Sequence, residues 1–307
     1  MRQLRAACII THYNYGQYIG HAVQSALNQT YTFDEIVIID DGSNPENLEQ
    51  VRAVCANNPR IRLIEQVNGG QLKAFSAGCI ATSAEIVFFL DADDYWDTTY
   101  VAAAMKIYQA RQDIDFIAAN RRECYADGST TESRSPDRDL GFSVVLCHQH
   151  PHWIGASTSC LSMRRSILAQ ILPFQALRSY RLCADECLIV GASIAGARKY
   201  QLGSVHVNYR VHQSNGWHGR PYNPDFMLWR KIEGRRLCRE LRTRLGLPED
   251  MSELAVHEFR TIPKPQWRDF RLYSLLLMQS RLAWPSRWNS HWLLLRAYLF
   301  DHKSHRG

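Results

Sequence analysis

Two carboxylate clusters carry the chemistry that can be read first. Asp91-Ala92-Asp93-Asp94 follows the apolar run Ile86-Val87-Phe88-Phe89-Leu90, and Asp40-Asp41-Gly42-Ser43 follows Ile36-Val37-Ile38-Ile39. Hard divalent cations take oxygen ligands and commonly keep a nucleotide's phosphates among them. A diphosphate leaving group needs such a cation to absorb its developing charge, so Asp91 and Asp93 suit a hard divalent cation. Acidic residues can instead cap the helix that follows, with Asp97 or Thr98 as N-cap. Three carboxylates within four residues repel one another, which makes a cap alone a poor use of them. Asp41-Gly42 is also a common turn pair. Beside Asp91 and Asp93, however, Asp41 becomes a candidate for binding a base or ribose through its carboxylate.

These loops can meet only if the elements behind them share a sheet. Ala6 to Ile10 is a short apolar run that opens into the polar Thr11-His12-Tyr13-Asn14, as a buried parallel strand would. Ile19 to Leu27 carries helical spacing, Ile36 to Ile39 reads as a second strand and Leu48 to Cys55 as a helix. Ile61 to Ile64, Gln71 to Ala81 and Ile86 to Leu90 continue as strand, helix and strand. This alternation predicts a Rossmann-like α/β fold, a mostly parallel sheet flanked by helices. Ligands bind such sheets outside the carboxyl ends of the strands, where all three polar stops fall. Beyond them, residues 120–140 are polar like a surface hairpin or a loop. A helix starts near Asp185, Val205 to Val211 alternates like a strand, and residues 226–245 and 266–300 read as helices. The predicted organisation is a catalytic domain over 1–219, with a nucleotide-binding half (1–100) and an acceptor half (101–219), and a helical C-terminal region over 220–307.

With 307 residues, 46% of them apolar, the chain can bury one medium core plus an appendage. Its net charge of +6 is uneven. Residues 1–219 hold 19 Lys+Arg against 21 Asp+Glu, whereas 220–307 hold 17 against 9 together with five of the eight tryptophans. Nine cysteines show no zinc-like pairing, and Met1–Arg5 runs into a strand without a secretory pattern. The expectation is a reduced, cytoplasmic protein. No stretch reaches the ~20 uninterrupted apolar residues of a spanning helix.

The strings Ile9-Ile10-Thr11-His12-Tyr13-Asn14-Tyr15, Ser25-Ala26-Leu27-Asn28-Gln29-Thr30 and Ile38-Ile39-Asp40-Asp41-Gly42-Ser43 occur in that order. With Asn68-Gly69-Gly70, Ala77-Gly78 and Phe89-Leu90-Asp91-Ala92-Asp93-Asp94, the chain resembles the family 2 glycosyltransferases, which have the GT-A fold. The likeness is dense over residues 4–100 and thinner over 150–215. It implies an inverting sugar transfer from a nucleoside-diphosphate sugar, UDP being the favoured carrier, to a saccharide or lipid-linked saccharide. It implies that Thr11 and Tyr13 line the base pocket with Asn68 and Gly70 nearby. Asp41 would accept a hydrogen bond from the base, and Asp91 would lie near ribose and diphosphate. Asp93 would ligate the metal, with His212 of Tyr209-Arg210-Val211-His212-Gln213-Ser214-Asn215 reaching the metal or the diphosphate. The family's base commonly follows a Glu; here the place reads Ala184-Asp185-Glu186, so Asp185 takes the base position with Glu186 as an adjacent competitor. One base opposite the leaving group and no covalent intermediate is the chemistry of inversion.

His148-Gln149-His150-Pro151-His152 could bring three histidines to one strand face, but without a carboxylate or Cys partner a polar lip of the acceptor cleft is favoured over zinc. Trp153 would then be a sugar-stacking platform. Arg164-Arg165 resembles paired basic residues on the family's acceptor side, or begins a solvated helix. The tail supports two readings: a helical subdomain packed on the core, or peripheral contact with the inner face of the plasma membrane, since Trp and Arg favour the headgroup region. Nucleic acid is not expected, because no binding fold accompanies the charge. Two rival functions are a nucleotidyltransferase, which should show a Gly-rich, Lys/Arg-bearing loop where Thr11-His12-Tyr13-Asn14 stands, and a catalytically inactive nucleotide-sugar-binding protein.

Overall fold

Strand β1 (Ala6–His12) is buried along its whole length between β2 (Glu35–Asp40) and β4 (Ile86–Asp91), parallel to both. Burial on both faces explains why these segments are continuous apolar runs rather than alternating ones. The computed structural model describes residues 3–56, 58–174, 178–181, 183–216 and 223–300. Between the first strands run α1 (Gly16–Leu27), α2 (Pro45–Cys55), β3 (Ile61–Glu65) and α3 (Gln71–Ala81). After β4 come β5 (Tyr95–Trp96), α4 (Tyr100–Ala110), β6 (Phe116–Cys124), β7 (Thr130–Glu132), β8 (Arg138–Gly141) and α5 (Val144–Cys147). Then follow β9 (Leu161–Arg164), α6 (Arg165–Ile171), α7 (Asp185–Ile194) and β10 (Lys199–Arg210). The C-terminal region forms α8 (Pro224–Arg244), α9 (Ala255–Phe259), α10 (Trp267–Gln279) and α11 (Trp284–Phe300).

One sheet runs in the order β3-β2-β1-β4-β9-β6-β10-β5, with β7 beside β6 and β8 beside β10. Its first half is parallel, as the strand-helix rhythm predicts, and β6 and β10 are parallel too. Strand β9 lies antiparallel between β4 and β6, so the sheet is mixed but mostly parallel. Side chains alternate across it. Ile9, Val37 and Phe89 meet Phe75 of α3, Leu168 of α6, Leu188 of α7 and Leu237 of α8 on one face. Ile10, Ile38 and Phe88 meet Val23 of α1 and Tyr100 and Met105 of α4 on the other. Each such side chain contributes about 1.5–3 kcal/mol of burial.

The antiparallel β9 overturns one expectation. Arg164 pairs with Ile86, where β4 begins, so it stands at the edge of the sheet opposite Asp91. Its guanidinium donates to the carbonyls of Ile114 (2.8 Å) and Tyr108 (3.3 Å). Arg164 ties α4 to β6 at the end of the sheet away from Asp91. The histidines are also placed differently. His148 caps the C-terminus of α5 and its Nε2 meets the Pro248 carbonyl at 2.7 Å, so the three do not share a strand face.

The tail divides in two. Leu237, Cys238 and Leu241 of α8 belong to the core beside α7, whereas α9, α10 and α11 build a separate cluster with Val145 and Leu146 of α5. Glu258 is buried at that junction. It accepts the backbone N–H groups of Val145 (2.7 Å) and Leu146 (3.0 Å) and the Tyr273 hydroxyl (2.8 Å). Among the described residues no helix is long and apolar enough to cross a membrane.

Candidate active site

The carboxyl ends of β1, β2 and β4 open into a cleft of about 1100 Å³ whose wall includes Thr11, Tyr13, Asp41, Asn68, Gly70, Asp91, Asp93, Trp153 and Asp185. Asp41 organises the end of the cleft beside β2. Its Oδ1 accepts from Gln66 Nε2 (2.6 Å) and the Gly69 N–H (2.8 Å), and its Oδ2 accepts from the Gly70 N–H (2.7 Å). Asn68 donates back to the Asp41 carbonyl at 2.8 Å. Gly70 has φ +88, and a Cβ there would meet the Arg181 backbone at 2.7 Å, so the loop folds over Asp41 only with glycine at that position. Tyr13 stands half-exposed at the rim.

The acidic end of the cleft is built from β4. Asp91 accepts from Thr11 Oγ1 (3.2 Å) and Gln71 Nε2 (2.8 Å). Burial, with Asp93 and Asp185 close by, pushes its carboxyl well above the usual range. Asp93 Oδ2 lies 3.0 Å from His212 Nε2 and 3.4 Å from Asn215 Nδ2. Asp94 is turned inward and accepts from Ser159 Oγ (2.5 Å) and the Arg210 N–H (2.9 Å). The acidic run does not cap the next helix: α4 begins after Thr99, which makes no side-chain cap bond. Carboxylate oxygens of Asp91, Asp93 and Asp94 fall within 4.8 Å of one another. Crowded, desolvated oxygens of one sign fit a hard divalent cation.

The N-terminus of α7 completes the cleft. Asp185 opens α7, with its carboxylate buried and one oxygen accepting the Glu186 N–H at 3.0 Å. Burial pushes its pKa up to about 6, against the pull of the nearby Arg230 guanidinium. Glu186, the competitor, is bound by Arg230 at 2.5 Å. Arg230 also reaches the Cys183 carbonyl (3.1 Å) and lies 4.8 Å over the Tyr180 ring. Both neighbouring carboxylates line the cleft, Glu186 in an ion pair with Arg230 and Asp185 accepting the Glu186 N–H.

Over residues 7–172 the sequence matches Glycosyl transferase family 2. The chain belongs to that family. An uncharacterised glycosyltransferase of Nostoc sp. is 32% identical over 219 residues, 69% of this chain and 66% of that protein. The hyaluronan synthase of Pasteurella multocida is 33% identical over 120 residues, 39% of this chain but only 12% of the synthase. The chain thus spans just under two thirds of the first relative and a small part of the second. TarS of S. aureus, solved with UDP-GlcNAc, superposes with a TM-score of 0.58 at 16% identity, covering 96% of this chain and 82% of that one. At that identity the likeness is one of fold: the architecture is GT-A-like.

Several groups that hold this glycosyltransferase's cleft together carry no motif. Gln71 donates to Asp91 and, through Oε1, accepts the Ala184 N–H at 3.0 Å, so one side chain joins the acidic cluster to the N-terminus of α7. Lys199 is wholly buried and donates to the carbonyls of Ile154 (2.9 Å) and Ile189 (2.8 Å), which fixes the Trp153 loop against α7. Burial pushes its pKa down to about 7. Arg210, by contrast, belongs to the segment singled out in the sequence. Its Nε donates to the Asp93 carbonyl at 2.9 Å, and its guanidinium lies over the rings of Tyr18 and Tyr95.

Proposed function

We propose that the enzyme transfers a sugar with inversion from a nucleoside diphosphate, UDP being favoured, to a hydroxyl of a saccharide or lipid-linked saccharide in cell-surface polysaccharide synthesis. The observation that carries this reading is the Gln71 bridge, which sets a buried acidic cluster and a poised base in one cleft. TarS, solved with UDP-GlcNAc, and a relative named hyaluronan synthase support the donor and product classes.

In this reading Thr11, Tyr13, Asp41, Asn68 and Gly70 surround the nucleoside, and Asp91 lies beside the ribose and diphosphate. Mg2+ or Mn2+, held by Asp93 and His212, would neutralise charge developing on the leaving diphosphate. Trp153 supplies a face for the acceptor sugar. Asp185, already pushed towards neutral pKa, removes the proton of the acceptor hydroxyl as that oxygen attacks the anomeric carbon. The base works from the side opposite the leaving group, so one displacement inverts the configuration. The region 220–307 is read as meeting the inner face of the plasma membrane, where a lipid-linked acceptor would be presented.

The test is a screen of nucleoside-diphosphate sugars for hydrolysis and transfer, with and without chelator, followed by NMR of the product anomer. Transfer from a UDP-sugar that stops in chelator and yields the inverted anomer is expected. Full turnover in excess chelator, or a retained anomer, removes the corresponding part of the reading.

A further inference from the structure

Along α11, Trp284, Trp288, Trp292, Leu295 and Leu299 recur at spacings of three and four. With 3.6 residues per turn they share an arc roughly 80° wide. All five are exposed, the tryptophans by 70, 62 and 58%. Leu294 and Ala297, on the other side of the helix, are buried against the neighbouring helices. Phe300 extends the row, and Met278 and Leu275 of α10 are exposed as well. Soluble proteins rarely leave so many large apolar side chains contiguous without a partner.

The charge around the row has one sign. Residues 270–300 contain no Asp or Glu, while Arg271, Arg281 and Arg296 are exposed there. The Arg296 guanidinium lies 5.8 Å over the Trp292 ring. Pairing the row with a second copy of the chain would bring Arg296 towards its own counterpart, and α11 itself holds no carboxylate to match it. An anionic lipid surface matches both features at once. Tryptophan rings settle at the headgroup boundary, and guanidinium groups pair with phosphate oxygens.

We infer that α11 lies in the plane of an anionic bilayer, with its Trp row at headgroup depth and Arg271, Arg281 and Arg296 on lipid phosphates. This rests on the reading that the C-terminal region meets a membrane, and it assigns that contact to one face of one helix. The arginine-rich α8 also exposes Leu228 and Trp229, a shorter apolar set, beside Arg235, Arg236 and Arg239, which the experiment below weighs against α11, but its other arginines are held within the fold. There Arg230 is tied to Glu186, Arg244 to Glu240 and the Ile171 and Pro173 carbonyls, and Arg242 to the Glu249 carbonyl.

The experiment uses the full chain and two variants: Trp284→Ser/Trp288→Ser/Trp292→Ser on α11, and Arg235→Gln/Arg236→Gln/Arg239→Gln on the exposed side of α8. Each is co-sedimented with vesicles of phosphatidylcholine alone or mixed with phosphatidylglycerol. Native chain should pellet with the anionic vesicles. The α11 variant should lose binding by about tenfold or more, and the α8 variant should keep it. Binding should weaken in 1 M salt, where the Debye length is ~3 Å. Circular dichroism melts and donor hydrolysis, unchanged in both variants, separate this outcome from misfolding and from failure of the glycosyltransferase reading. Loss confined to the α8 variant overturns the assignment while leaving membrane contact standing. A native chain that ignores both vesicles but elutes as a dimer abolished by the α11 variant makes the row a protein interface and overturns the inference.

Discussion

Helices α8 and α11 look alike as sequence, both basic and both with an exposed tryptophan, yet their buried faces meet different parts of the molecule. α8 sends Leu237, Cys238 and Leu241 into the core and Arg230 to the catalytic cleft. α11 buries Leu294 and Ala297 and leaves its aromatic row in solvent. Composition gives a region its chemistry, but the partner a face finds decides what that chemistry does. Arginine paired with Glu186 pulls down the pKa of the neighbouring Asp185; arginine beside exposed tryptophan offers charge to a surface.

The contrast can be broken most forcefully from the cleft. Asp93→Asn should lower turnover by about 10³-fold or more through loss of metal, since it removes the carboxylate facing His212. It should leave vesicle binding through α11 unchanged. Equal partitioning with intact turnover would detach Asp93 from the metal.

Arg230→Met should act next most strongly. A base must be deprotonated, and burial pushes the Asp185 pKa up to about 6, so activity should rise with pH through that value and then level. Arg230 pulls the pKa down; removing it should move the acid limb to higher pH and cost roughly tenfold in kcat/KM near pH 6. Arg230→Lys should restore most of the profile. An unmoved limb would make α8 a packing element only.

The smallest expected effect is on stability. Burial raises the Asp91 pKa, so its charged form costs folded-state stability, a cost absent in acid and present once pH exceeds the raised value. In chelator above that value, Asp91→Asn should therefore melt at or above the native temperature, by an amount on the order of 1 kcal/mol. A clear drop would mean that the bonds from Thr11 and Gln71 need the carboxylate.

The strands of the donor half were legible because burial on both faces leaves apolar runs with abrupt polar stops. Helix 71–81 was legible down to its bounds. Strand β9 was not, since four residues carry no usable period, and its reversed direction is what moved Arg164 to the wrong edge of the sheet. Strand β10 was read only from Val205, because register shifts between Leu202 and Val207 break the alternation before it. In the site, carboxylates spaced along one strand end announced themselves. Gln71 and Arg230 did not: each acts by spanning a distance that only the folded chain makes short.

The inward face of α8 sets a limit on how this enzyme can be recombined. A catalytic cassette cut where the charge composition changes, near residue 219, would carry Asp185 but leave behind Arg230 and the three apolar side chains that pack with α7. A chimera exchanging C-terminal helices must therefore be joined beyond Arg244, in the segment before α9, so that the graft inherits only α9, α10 and α11.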